Sequence, residues 1–254
     1  MKLCSRTFAS RWWPARNTTF GDPDFFNGSG HATAIVEALH QEFPRLTYDV
    51  TIKIEHLLKH QRHLATLRDT GCLFVTSAVE SLDDEVLRRL DKGHTRADFL
   101  EVTRIFRDLD LVLHATFVPF TPWTTLDSYL ELLRVLREND LVENVAPIQL
   151  AIRLLIPRGS RLLELDEIRH LAGPFDPSAL VYPWSNADAR VDALGAEMEQ
   201  IVSGGEKHKL PRQAIFERIW KAAHEAAGVE TELAARPVLV SRPAIPYLNE
   251  PWYC

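Results

Sequence analysis

Gly71–Thr95 reads GCLFVTSAVESLDDEVLRRLDKGHT. Its first part, Cys72–Thr76, is a short apolar run with β-branched and aromatic residues, which predicts a buried strand. Ser77 and Glu80 follow that run. Leu82–Leu90 then places apolar residues at helical spacing, and Ser81, at the head of Ser-Leu-Asp-Asp, reads as the N-cap. Lys92-Gly93-His94-Thr95 closes the segment. A buried strand, a polar turn and a helix make half of a βαβ unit.

The same alternation extends in both directions. Upstream, Thr18–Phe20 reads as a strand ending in Gly21-Asp22-Pro23-Asp24, His31–Phe43 as a helix closed by Pro44, Leu46–Ile54 as a strand and Glu55–Asp69 as a helix stopped by Gly71. Downstream, Arg96–Leu109 is helical, Leu111–Val118 a strand, Thr125–Glu138 a helix and Val145–Ala151 a fifth strand. Strands alternating with helices predict a parallel α/β sheet, doubly wound or closed into a (β/α) barrel. No GxGxxG follows the first strand, so a dinucleotide-binding version has no support. Polar residues gather at the C-terminal ends of successive strands: Asp22 and Asp24; Lys53 and Glu55; Ser77 and Glu80; Pro119, Thr121 and Trp123; Gln149 and Arg153. In a parallel barrel these ends form the mouth that holds the site, which favours a TIM-like (β/α) arrangement over residues 17–172. Residues 1–16 fall outside the alternation. Residues 173–254 form a mainly helical C-terminal appendage: the helices Asp188–Val202 and Pro211–Ala227 are joined by Ser203–Lys207, and a proline-rich extended tail follows.

The 254 residues carry a net charge of -6, with 46% hydrophobic and 25% charged residues. This is the composition of an ordinary globular protein. It gives no support to nonspecific nucleic-acid or anionic-membrane binding, which need clustered Lys and Arg. With neither a long apolar run nor a signal-peptide core, the expected location is the cytoplasm. Three widely separated cysteines, Cys4, Cys72 and Cys254, give neither a disulfide framework nor a metal knuckle.

Several stretches resemble the radical S-adenosylmethionine (SAM) superfamily. Gly71–Thr95 is similar to the middle of such a domain, and TFGDPDFFNG (Thr19–Gly28) is similar to its second strand and acidic loop. PFTPWTTLDSYLELL (Pro119–Leu133), PIQLAIRLLIPRGS (Pro147–Ser160) and NEPWYC (Asn249–Cys254) resemble a narrower group, whose tails read Cys-Cys-Ala-Glu-Pro or Cys-selenocysteine-Ala-Glu-Pro. The resemblance implies a partial radical SAM barrel lacking its first strand. It implies SAM and a [4Fe–4S] cluster as cofactors, reductive cleavage of SAM to a 5′-deoxyadenosyl radical, a small-molecule or peptide substrate, and an electron donor such as flavodoxin or ferredoxin. Such clusters are held by cysteine thiolates, yet the sequence contains no CxxxCxxC. The expectation is therefore a selenoprotein-related chain truncated at both ends and inactive as it stands.

The resemblance also assigns roles. Asp22 and Asp24 suit the SAM ammonium through charge-assisted hydrogen bonds, although Asp-Pro-Asp equally reads as a turn. Ser77 and Glu80 stand where relatives touch the ribose or methionine part. Lys53 and Arg153 are cations apt for a carboxylate, Arg the better by its bidentate fork; Gln149 reads equally as a barrel-interior group or a core residue. Cys254 is one member of a vicinal redox or ligand pair. His56, His60 and His63 share a helix face; without the HExxH glutamate they read as a solvated face rather than a zinc site. Two other readings compete: a non-catalytic barrel remnant that binds SAM or a nucleoside, and an unrelated (β/α)-barrel lyase with Lys53 as Schiff-base nucleophile.

Overall fold

The computed structural model describes residues 17–230. Four strands form one parallel sheet: β1 (Asn17–Thr19), β2 (Thr47–Thr51), β3 (Cys72–Glu80) and β4 (Leu113–Phe117), ordered β1-β2-β3-β4. By compactness the described chain divides into two units, 17–79 with 96–115 and 80–95 with 116–230.

In the first unit, helices α1 (Ser29–Glu42), α2 (Ile54–Lys59), α3 (Leu64–Asp69) and α5 (Arg96–Asp108) accompany the strands. The alternation in TYDVT is real: Tyr48 and Val50 are buried and their neighbours half-exposed. Parallel sheets covered on both faces carry long apolar strands, and β3 follows that pattern, with Phe74, Val75 and Val79 buried. Phe99, Val102 and Phe106 line the buried face of α5; burying each such side chain is worth about 1.5–3 kcal/mol. Gly71 starts β3 at φ +97°, and a Cβ there would stand 2.9 Å from the Leu46 carbonyl oxygen. No other residue suits both demands.

Two expectations for this unit need correction. The strand expected at Cys72–Thr76 runs on to Glu80, so Ser77 and Glu80 belong to β3 itself rather than to a following loop. The helix expected over Glu55–Asp69 is broken into α2, a 3₁₀ turn at Gln61–His63 and α3. The break falls at His60, which has left helical geometry (φ -116°, ψ 24°), so the three histidines do not share one continuous helix.

In the second unit, α4 (Asp84–Arg89) begins on Asp83, whose carboxylate accepts from the Glu85 and Val86 amides. The expected cap, Ser81, instead accepts from the Asp83 amide. Thr125 and Ser128 form a reciprocal capping box that starts α6 (Leu126–Glu138). The fifth strand expected at Val145–Ala151 is absent. Pro147 opens a 3₁₀ turn there, as a residue with preset φ and no donor favours. Beyond β4, Phe120 bridges Arg153 instead: Phe120 donates to the Ile152 carbonyl and Leu154 donates to that of Phe120. Ile156, Ile168 and Trp184 form a small core beneath α7 (Asp166–Leu171).

The two expected C-terminal helices are present as α8 (Ala189–Lys207) and α9 (Arg212–Ala227). Ser203–Lys207, expected as a linker, is the last part of α8. Gly204-Gly205 does not end the helix because close packing needs the glycine: a Cβ on Gly205 would stand 2.6 Å from the Ile215 side chain. Among the described residues, no helix is long and apolar enough to cross a membrane.

Candidate functional site

Two polar groupings stand at strand ends, one in each unit. In the first, Asp22 and Asp24 have different tasks. The Asp22 carboxylate accepts from the Asp24 amide at 2.9 Å, which folds the turn. The Asp24 carbonyl then accepts from Asn27 and starts a 3₁₀ turn at Phe25–Gly28. This aims the Asp24 carboxylate inward, leaving it 10% exposed. Its Oδ2 lies 2.7 Å from His56 Nδ1 and 3.9 Å from Lys53 Nζ. The His56 ring nitrogen is buried and close, but off-axis for a linear hydrogen bond. Lys53 is mostly exposed, and Glu55 stands 3.8 Å from its ammonium. Asp24, Lys53 and His56 thus form one charge cluster where β2 passes into α2.

Ser77 takes no part in that cluster. It is fully buried, and its hydroxyl donates to the Ile52 carbonyl at 2.6 Å. His56, His60 and His63 are half-buried. The ring centroids of His56 and His60 are 5.8 Å apart and those of His60 and His63 6.5 Å. Phe26, fully buried, presents its ring to His60 and His63. His60 Nδ1 lies 3.2 Å from Ser29 Oγ. Partial burial, followed by the neighbouring Lys59, His56, His63 and Arg62, holds the His60 imidazole below the ordinary histidine range.

In the second unit, Glu80 ends β3 at φ 67°, a left-handed conformation that costs a non-glycine residue about 1–3 kcal/mol and clusters at functional sites. The Glu80 carbonyl accepts from the Val118 amide at 2.9 Å, which pins the backbone. The Glu80 carboxylate meets Lys92 Nζ at 2.9 Å, both side chains about four-fifths buried. Lys92 is the site residue that sequence reasoning missed. Its signal was the Lys-Gly-His-Thr turn, in which Gly93 is left-handed and the buried His94 ring bonds the Lys92 carbonyl.

Gln149 sits in the 3₁₀ turn rather than at a strand end, and its Oε1 accepts from the Phe117 amide at 3.0 Å, completing the edge of β4. The Arg153 guanidinium donates to Asp192 at 2.8 Å and to the Trp184 carbonyl at 2.6 Å, and stacks 3.5 Å from the Trp184 ring centre. Those contacts make it an anchor for the segment entering α8. Cys254 lies outside the described residues.

Among the described residues the donor set does not fit an iron–sulfur cluster. The described cysteine, Cys72, is buried and donates its S–H to the Phe74 carbonyl. Burial, reinforced by nearby Asp49, pushes its thiol far up, which opposes the thiolate a cluster requires. Among the described residues no group of three or more His, Cys, Asp or Glu could hold a metal ion. Carboxylates suited to a cationic ligand are present, at Asp24 and Glu80.

No family model matches the sequence, and no curated protein does either. Solved structures do resemble it. The apo form of OxsB, a cobalamin-dependent S-adenosylmethionine radical enzyme, superposes with a TM-score of 0.66 at 14% identity, covering 89% of this chain and 41% of OxsB. The aqua-cobalamin form gives 0.62 at 15% identity, covering 83% and 39%. Elp3 from the archaeon Methanocaldococcus infernus gives 0.50 at 11% identity, covering 83% of this chain and 58% of Elp3. The chain spans about two fifths of the length of OxsB. At these identities the likeness is one of fold: a parallel β/α architecture like that of radical SAM enzymes.

Proposed function

We propose that this chain is the SAM-holding part of a radical SAM enzyme. The observation that carries this reading is Glu80, a carboxylate held in a left-handed conformation at the end of a parallel strand and paired with Lys92. Sites of parallel β/α folds lie at these ends, and the fold resembles that of OxsB. When bound, a cluster with one open iron position would supply the electron that cleaves SAM; the residues described here do not provide its ligands, and no step is assigned to it. The protein's own share is to bind and orient SAM, which is what a chain can contribute when the radical chemistry belongs to cofactors. Glu80 offers a charge-assisted acceptor to the SAM ammonium or to ribose hydroxyls. Lys92 holds Glu80 in place until a ligand hydroxyl or ammonium competes for it.

The absence of cluster ligands among the described residues favours one further reading, a SAM- or nucleoside-binding protein without radical chemistry. Titration calorimetry with SAM and 5′-deoxyadenosine tests what the two readings share. Glu80→Gln weakens SAM binding by about 1.5–3 kcal/mol, the worth of a hydrogen bond to a charged group. Absence of SAM binding by the unaltered chain, or unchanged affinity in Glu80→Gln, overturns the assignment. Borohydride trapping of a carbonyl adduct on Lys53 would instead point to the lyase reading.

A further inference from the structure

Ser29 and His60 stand outside the SAM-binding reading, and this inference does not rest on it. Ser29 is the first residue of α1 and His60 the residue that ends α2; the fold brings Oγ and Nδ1 to 3.2 Å. Ser29 is half-buried and so reachable from solvent. Gly28 and Gly30 flank it, and a Cβ on either would meet nothing within 4 Å. His60 rests against the buried Phe26 ring on one side and His56 on another, and His56 in turn lies against the Asp24 carboxylate. Partial burial, and then the neighbouring Lys59, His56, His63 and Arg62, oppose protonation of the His60 ring. A hydroxyl within hydrogen-bond reach of an imidazole is the nucleophile–base contact on which nucleophilic catalysis is built.

We propose that Ser29 and His60 form a nucleophile–base pair that accepts the acyl group of a small carboxylic ester. Ser29 Oγ attacks the acyl carbon while its proton moves to His60 Nδ1. The C–O bond to the alcohol breaks, and the departing alkoxide takes that proton. Water then attacks the acyl-serine, giving its proton to His60, and the released serine oxygen recovers it. The net change is ester plus water to acid plus alcohol, with no oxidant or reductant.

The test is covalent labelling of the 254-residue chain with a fluorophosphonate, followed by intact mass and peptide mapping. The expected result is one adduct, on Ser29, with labelling slowed roughly 100-fold or more in His60→Gln, the usual contribution of a general base. His60→Gln must retain the thermal melt of the parent chain; if it does not, the Ser29 labelling rate of the unaltered protein between acidic and neutral pH is read instead, and it should rise as an imidazole deprotonates. No adduct on Ser29, an adduct elsewhere only, or a labelling rate indifferent to both His60 and pH would show that the contact merely ties α1 to α2.

Discussion

Glu80 is where backbone and chemistry meet. A left-handed glutamate costs stability that a glycine would not, so Glu80→Gly and Glu80→Ala separate the two roles. Both lose the carboxylate and the Lys92 contact, but only alanine keeps the conformational strain. Glu80→Gly is expected to be more stable than Glu80→Ala by about 1 kcal/mol in urea unfolding. Equal stabilities would mean that the strand end relaxes freely. Asp49 presents the reverse situation, a carboxylate kept for no visible ligand. Burial raises its proton affinity, only partly offset by the Thr19 hydroxyl that donates to it at 2.8 Å. A carboxyl raised in the folded state stabilises most at low pH, and that contribution is lost as pH rises through the raised value. Asp49→Asn, which can still accept from Thr19, should therefore gain on the parent as pH rises above the ordinary aspartate range, with the gap constant at higher pH. A pH series of unfolding midpoints reads this directly; a gap independent of pH would remove Asp49 from the account.

At the level of elements, the sharpest contrast is between two adjacent glycines of α8. Replacing a helical glycine by alanine normally gains roughly 0.5–1 kcal/mol. Gly204 has open space where the Cβ would go, and Gly204→Ala should show that gain. Gly205 faces Ile215, so Gly205→Ala should instead cost about 1–3 kcal/mol through overpacking. Matching signs in thermal unfolding would mean that α8 and α9 are not held at this spacing. The same pair explains why the end of α8 was misread: glycine is a helix terminator by local rule, and only the neighbouring helix reveals why it is used mid-helix. The alternation of strands and helices was legible because burial imposes it on apolar residues, as in TYDVT and CLFVT. The fifth strand was not, because Val145–Ala151 is apolar enough for a strand while Pro147 redirects the backbone. For the site, Asp24 and Glu80 could be picked out from their positions after apolar runs. Their partners His56 and Lys92 could not, since each contact joins separate elements that only the fold brings together. Arg153 could be read as a carboxylate-binding cation, but its partners Asp192 and Trp184 lie too far along the chain to be named from sequence.

For the molecule as a whole, fold and cofactor chemistry come apart. The described chain has a β/α architecture like that of OxsB, and its one described cysteine is in the wrong state for a cluster. Anaerobic reconstitution with iron and sulfide should leave the 254-residue chain colourless, without the broad visible absorption of a [4Fe–4S] centre, while SAM binding persists. Stoichiometric iron held by this chain would overturn that separation. The strand order carries a consequence of another kind. Because β1-β2-β3-β4 follows the chain from N- to C-terminus, a ribosome delivers each strand next to the one already laid down. No later strand must slide between two earlier ones, so the sheet can grow by accretion at a single open edge while synthesis continues. Each new pairing then spans only the helical stretch between consecutive strands, which keeps the entropic barrier to each addition low.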